Sequence, residues 1–217
     1  MKRTISERTI GRLSLYRRLL SELGAEGARN VYSHQLAGRA GCTAAQVRRD
    51  LMAIGYTGSP YHGYNVEELA KSIGRFLDHT LEQPVVLVGV GNLGRAILTF
   101  YADRHPKLPI AACFDRAPEK VGRLVNGCRC HPVEEMESVV RRLGSHVGIL
   151  AVPSAAAQDV ADRLIQAGVR GILNFAPVRL RVPIDVYVED LDMTMALEKV
   201  AYFARPALPV ETAEAQR

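Results

Sequence analysis

The chain has no run approaching the ~20 consecutive apolar residues that a membrane-crossing helix needs, which excludes a helical membrane protein. Its opening stretch, MKRTISERTIGRL, lacks the apolar segment of a secretory signal, and a soluble cytoplasmic protein is expected. Cysteine is scarce: Cys42, Cys113, Cys128 and Cys130 only. The last two fall in GCRCHP, and a Cys-x-Cys-His cluster can hold a metal or respond to oxidation. No second Cys or His pair stands at metal-finger spacing, so free thiols in a reducing compartment are the simpler reading and no metal is expected. Internal repeats are absent, and no low-complexity segment precedes a tail at 206–217.

What is present is enough apolar residue, 47%, for one sizeable core and one small one, with 24% charged. The net charge of +5 is unevenly spread. Residues 1–80 hold 12 Lys/Arg against 7 Asp/Glu, and residues 81–217 hold 16 against 16. A basic module attached to a neutral one makes nucleic acid the natural partner, although a solvated face gives the same count.

In RTIGRLSLYRRLLSEL, Ile10, Leu13, Tyr16, Leu19, Leu20 and Leu23 share one helical stripe. Ser33 is placed to cap a short helix, HQLAGRA, and Gly41 to turn the chain. Thr43 and Gln46 fit a capping box that opens AAQVRRDLMAI, with Ala44, Val47, Leu51 and Ile54 inward and Gln46, Arg48 and Arg49 outward. Two short helices joined by a Gly turn predict a helix-turn-helix; its second helix carries Arg for guanine or phosphate and Gln for adenine. The segment GYTGSPYHGY predicts a tight β-hairpin wing whose tyrosines, Tyr64 among them, pack on sugar and backbone. A small helical cap domain with solvated arginines is the competing reading. A linking helix is predicted over 65–82, with Val66, Leu69, Ile73, Phe76 and Leu77 on its apolar side.

Beyond Pro84 the pattern alternates: strands at VVLVGV, LPIAACFD, VGILAVP and VRGILNF, helices at NLGRAILTFYADR, EEMESVVRRL and AAAQDVADRLIQAG. That is the βαβ rhythm of a doubly wound parallel sheet. The first strand runs into Gly89-x-Gly91-x-x-Gly94 and a helix, the dinucleotide fingerprint in its proper setting. Gly89 permits the tight turn, Gly91 lets backbone approach pyrophosphate, and Gly94 lets helix pack on strand. Asp115 ends the second strand, where a carboxylate accepts both ribose hydroxyls and repels the 2′-phosphate of NADP, favouring NAD(H). Arg116 beside it is able to accommodate that phosphate, and Asp115 as a plain loop cap is the alternative.

Hydride-transfer chemistry also needs a proton-moving group. Of His105, His131 and His146, none ends a predicted strand; Tyr187 and Lys199 form no Tyr-x-x-x-Lys pair, and no nucleophile elbow is present. A cofactor pocket without machinery to use it is expected, hence no enzyme. The segment LDMTMALEKVAYFA (191–204) predicts a helix capped by Asp190 or Asp192 and apolar on much of its circumference. Such a helix must be buried on its own domain or on a partner, and a helix-turn-helix usually works in pairs.

Five stretches in this order, TAAQVRRDL, GVGNLGRA, FDRAPEKVG, AVPSAAAQ and GILNFAPV, resemble the redox-sensing transcriptional repressor family Rex, over residues from about 5 to 205. The resemblance implies an α/β protein: a winged helix-turn-helix domain (1–80), a Rossmann domain (81–190) and a C-terminal dimerisation helix (191–205) exchanged within a homodimer. It implies binding to inverted-repeat operator DNA, weakened by NADH, with NAD+ competing. On this match Gly89, Val90, Gly91, Asn92, Leu93 and Gly94 hold pyrophosphate, and Asp115 the adenosine ribose. Arg116, Pro153, Asn174 and Met193 complete the pocket. Arg48 and Arg49 match the basic pair of the recognition helix; Ser33, Thr43, Gln46 and Tyr64, read from the helix-turn-helix pattern, are expected to face DNA with them. Arg18 and Asp192 match a pair that bridges subunits, with Phe100 beside it. Three positions depart from the family: Met193 for Phe, Phe100 for Tyr, and Pro60-Tyr61 for an Arg-Gly wing tip. An apolar pocket around Met193 is expected to prefer the neutral reduced nicotinamide. Two rivals are an NAD-dependent oxidoreductase with a basic accessory domain and a repressor reading CoA or an adenine nucleotide.

Overall fold

A computed structural model describes residues 5–78, 81–102 and 107–205. The tail at 206–217, His105 and the last residues expected for the helix after Gly91 lie outside the described residues. The chain divides into two compact units, residues 1–81 and 82–217. Among the described residues no helix is long and apolar enough to cross a membrane.

In the first unit α1 (Glu7–Ala25) is capped by Ser6, whose hydroxyl accepts from the Thr9 N–H. Its stripe of Leu13, Tyr16, Leu19, Leu20 and Leu23 is buried, whereas Ile10 remains 38% exposed at the first turn. Helices α2 (Ser33–Ala40) and α3 (Ala44–Ala53) meet at Gly41, and α4 (Val66–Leu77) packs along α1. Val47, Leu51, Val66, Leu69 and Ile73 close a single core with α1, while Phe76 stays exposed.

Three local expectations change. The α2 cap is Tyr32, whose N–H donates to the Gln35 side-chain oxygen, and Ser33 is the first helical residue. The Thr43 hydroxyl caps α3, but Gln46 does not reach back, so only half a capping box forms. The wing contracts to one bridge, Ser59 to Gly63. The strand after it, β2 (Tyr64–Asn65), pairs instead with β1 (Asn30–Val31), far away in sequence. That antiparallel register sets Tyr64 opposite Val31 and leaves both buried, so most of the Tyr64 side chain packs in the core, beside a cavity it lines with Ser33 and Arg48.

The second unit is a seven-stranded sheet in the order β5-β6-β4-β3-β7-β8-β9. Its strands are β3 (Val85–Val88), β4 (Ile110–Asp115), β5 (Leu124–Val125), β6 (Cys128–Pro132), β7 (Val147–Leu150), β8 (Gly171–Asn174) and β9 (Tyr187–Asp190). All pairs are parallel except β5 with β6. Leaving that hairpin strand aside, the order is the 3-2-1-4-5-6 of a dinucleotide fold, with its reversal between β3 and β7. The intervening helices are α5 (Asn92–Tyr101), α6 (Met136–Leu143) and α7 (Ser154–Ala167). Two apolar clusters, around Phe114 with Leu150 and around Leu87 with Ile97, cover the two faces of the sheet. Sequence periodicity misses β5, β6 and β9, whose short strands lack a distinctive alternation.

Within GCRCHP, residues Cys128–Pro132 form β6. Cys113 sits opposite Cys130, and Cys128 joins them in the buried cluster. Burial, then the neighbouring Cys113 and nearby carboxylate charge, push the Cys130 thiol up to about 12. A thiol held neutral in this way packs as a small apolar side chain.

Helix α8 (Met193–Phe203) follows β9 and is capped by Asp192, which accepts from the Met195 N–H. None of its residues is buried in the single chain; Leu197, Val200 and Phe203 are 69%, 66% and 82% exposed.

Candidate functional site

The sheet creates a crevice where its strand order reverses. A cavity of about 420 Å³ opens there, within the range of cofactor sites. Gly89 and Gly91 line it from the β3 end, Asp115, Arg116 and Lys120 from the β4 end, and Ala151, Val152 and Pro153 from the β7 end.

The three fingerprint glycines differ physically. Gly89 has φ +97°, and a Cβ there would lie 2.4 Å from the Ala151 carbonyl oxygen. At Gly94 a Cβ would lie 1.9 Å from the Gly89 carbonyl oxygen. At Gly91 it would meet nothing within 4 Å. The fold needs glycine at 89 and 94, while the open space over Gly91 faces the cavity. A pyrophosphate fits that space, beside the free N–H groups that begin α5. Within this loop Asn92 accepts from the Arg95 guanidinium, and Val90 is buried.

Asp115 is 8% exposed. Its Oδ2 accepts from the Val90 N–H at 2.8 Å and Lys120 Nζ at 2.9 Å, and its Oδ1 from the Ala117 N–H at 2.9 Å. Burial pushes its pKa up, but Lys120 and the two backbone N–H groups outweigh that and hold it below the ordinary carboxylate value. The group is an anion that ties the ends of β3 and β4 together and still has acceptor capacity on Oδ1. Both uses expected for Asp115, loop cap and ribose acceptor, are compatible in one carboxylate. Lys120 is a cavity residue that periodicity did not reveal; its signal is a lysine five residues after the strand-ending aspartate.

Asp115→Asn is expected to lower NADH affinity about tenfold, the size of one charge-assisted hydrogen bond. It also narrows the gap between NADH and NADPH, because the repelling charge is gone while Arg116 and Lys120 remain. Calorimetric titration with both dinucleotides checks this.

Of the expected pocket residues, Gly89, Gly91, Asp115, Arg116 and Pro153 line the cavity, whereas Val90, Asn92, Leu93, Gly94, Asn174 and Met193 do not. Asn174 is fully buried, donating to the Ala176 and Val178 carbonyls and to Asp190, and accepting from the Ala176 N–H. It clamps the loop after β8 to β9, and its side-chain NH2 is committed to that loop and to Asp190. Met193 opens α8 and is 60% exposed, so the single chain builds no apolar pocket around it. Phe100, near the end of α5, is 53% exposed and stacks edge-on against Tyr101.

In the first unit Arg48 and Arg49 are exposed on α3, and Arg48 donates to the Ser33 hydroxyl at 3.0 Å. Gln46, expected to reach out freely, is engaged at both ends. Its Nε2 donates to Asp50 and its Oε1 accepts from Arg49, each at 2.8 Å. Arg18 is exposed on α1 and makes no ion pair among the described residues.

A helix-turn-helix with outward arginines, in one chain with a dinucleotide cradle at a sheet's switch point, defines a class: DNA-binding regulators that carry a nucleotide-sensing domain. Family models agree in both units, a DNA-binding protein N-terminus over residues 4–51 and a CoA binding domain over residues 80–178. The chain is 41% identical to the redox-sensing transcriptional repressor Rex of Roseiflexus sp. (strain RS-1), covering 89% of this chain and 88% of that one. It is 43% identical to Rex of Carboxydothermus hydrogenoformans, over 93% and 97%. Among solved structures it is similar to RSP, a Rex-family repressor. The RSP complex with NAD+ and operator DNA superposes with a TM-score of 0.83 at 34% identity, over 92% of each chain. The RSP complex with NADH gives 0.82 over 92% and 94%. This chain belongs to the Rex family of redox-sensing transcriptional repressors.

Proposed function

We propose that this protein binds inverted-repeat operator DNA as a homodimer and is released when NADH enters the cradle, so that it reports the NADH/NAD+ ratio to transcription in the cytoplasm. The observation that carries this reading is the pairing, in one chain, of exposed arginines on α3 with a switch-point cavity bounded by Gly91 and Asp115. The RSP structures support it, since DNA is bound there together with NAD+. In this reading residues 1–80 read DNA, 81–190 sense the dinucleotide and 191–205 dimerise.

A ligand shifts such an equilibrium only by binding one dimer geometry better than the other, and a coupling of ~1–3 kcal/mol is sufficient. The apolar face of α8 is the natural dimer surface, exchanged between subunits. Arg18 of one subunit then pairs with Asp192 of the other, beside Phe100. Reduced nicotinamide is neutral, so the pocket that prefers it, with Met193, is completed only by the partner's helix. Leu197→Glu is expected to yield a monomer by light scattering and to lower operator affinity at least tenfold, because a charge buried in an apolar interface costs several kcal/mol.

The central test is a gel-shift titration on an operator selected with the protein itself. NADH is expected to release DNA and NAD+ to oppose it; operator binding that ignores NADH overturns the reading. The match to a CoA binding domain favours one second reading, CoA or an adenine nucleotide as effector. Calorimetry with NADH, NAD+, NADPH, CoA and ATP decides between them. Turnover of NADH with an added metabolite instead points to an oxidoreductase.

A further inference from the structure

We infer that Asp50, a buried residue that cannot touch DNA, sets the base preference of Arg49 through Gln46; the inference rests on the DNA-reading role proposed above. Asp50 is 2% exposed at the inner side of α3. Two side chains from α1 hold it. Arg12 donates from Nε to Oδ2 at 2.6 Å and from Nη2 to Oδ1 at 2.8 Å, and the Tyr16 hydroxyl donates to Oδ2 at 3.0 Å. Arg12 presents its guanidinium fork edge-on to the carboxylate, which fixes its plane.

That carboxylate accepts only, so Gln46 must offer it Nε2 and not Oε1. The orientation of the Gln46 amide is therefore dictated from inside the protein. Its Oε1 points outward and receives Arg49 Nη2. An exposed arginine ordinarily samples many rotamers, and ordering it on DNA opposes binding. Here one of its five donors is already anchored, leaving the rest of the fork for the O6 and N7 of a guanine.

The same geometry removes Gln46 as an independent adenine reader, because bidentate pairing with adenine uses Nε2 and Oε1 together. Gln46 is thus a positioning residue, and Arg49 the one that reads. Arg48 is held differently, by Ser33 on α2, and lies outside this relay.

The experiment uses the full chain and an operator selected by the wild-type protein from a random duplex library. Fluorescence anisotropy gives the ratio of affinities for that operator and for a scrambled duplex of equal length. The variants are Gln46→Met, which keeps length and loses both polar ends, Arg49→Ala, and the pair together. Gln46→Met is expected to reduce the ratio about tenfold. In the Arg49→Ala background it is expected to cost less than twofold, since the two residues act as one unit. Asp50→Asn, which allows the Gln46 amide to turn either way, is expected to match Gln46→Met.

A Gln46→Met protein with an undiminished ratio overturns the inference. So do effects of Gln46→Met and Arg49→Ala that simply multiply, for Gln46 then reads bases itself. Should the wild-type protein enrich no sequence at all, the DNA-reading role falls first and the inference with it, which is a different result from an intact preference that ignores Gln46.

Discussion

Gly94→Ala is expected to abolish dinucleotide binding and to lower the melting temperature of the nucleotide-binding unit by on the order of 10 °C. The alanine Cβ would sit 1.9 Å from the Gly89 carbonyl oxygen and 3.0 Å from its carbon, and both are backbone atoms. Gly89 cannot give way. Its own N–H is tied to the Phe114 carbonyl at 2.8 Å, and the space on its Cβ side is filled by the Ala151 backbone. The first turn of α5 must therefore lift off β3 and carry its N–H groups away from the cavity. Overpacking of this kind costs ~3 kcal/mol, which for a unit of this size is ~10 °C. Gly91→Ala is the contrasting case. Its φ is −79° and nothing lies within 4 Å, so stability is expected to change by less than about 1 kcal/mol while NADH binding is lost. Thermal melts and NADH calorimetry on both variants check the pair. A Gly94→Ala protein that melts and binds like the wild type contradicts the packing account. Equal destabilisation by both contradicts the assignment of Gly91 to the ligand.

The second large effect is expected from Asp50→Ala, about 3 kcal/mol of lost stability in the first unit. Breaking a buried ion pair from one side typically costs ~3–5 kcal/mol, and the lower end applies because Arg12 is 25% exposed and turns to water. Tyr16 cannot: it is fully buried, and its hydroxyl is left with the Cys42 sulfur at 3.5 Å. The loss is pH-dependent with a definite sign. Burial raises the Asp50 pKa, but hydrogen bonds from Arg12, Gln46 and Tyr16 outweigh it and hold the value below the ordinary carboxylate range. The native state thus binds fewer protons than the unfolded state near pH 4. The contribution is complete above the unfolded pKa and disappears as pH falls through the depressed native one. Hydrogen exchange of α1 and α3 in the full chain is expected to show a wild-type advantage that is large at pH 7 and shrinks below pH 4. An advantage that stays constant with pH contradicts the role of the carboxylate charge.

How far the residues disclose this protein depends on the distance over which each feature is decided. The α1 stripe, the Thr43 cap, the Gly89-x-Gly91-x-x-Gly94 turn and the Asp115 strand end are legible because each is settled within a few neighbours. Gly and Pro around Tyr64 mark a hairpin and predict an outward side chain; its burial follows from pairing with a strand more than thirty residues earlier. The resemblance makes Asn174, the last residue of β8, a ligand residue, yet Asp190 opposite it on β9 and the carbonyls of its own loop take its side-chain NH2.

Taken alone, the residue order determines a basic helical module, a parallel doubly wound sheet and a phosphate cradle, since periodicity, capping and glycine sterics are local properties of the chain. The tertiary structure decides which polar groups remain available. Only folding brings Arg12 and Tyr16 against Asp50, Lys120 against Asp115, and Asn174 into its loop, and hydrogen-bond capacity used inside the protein is no longer open to DNA or dinucleotide.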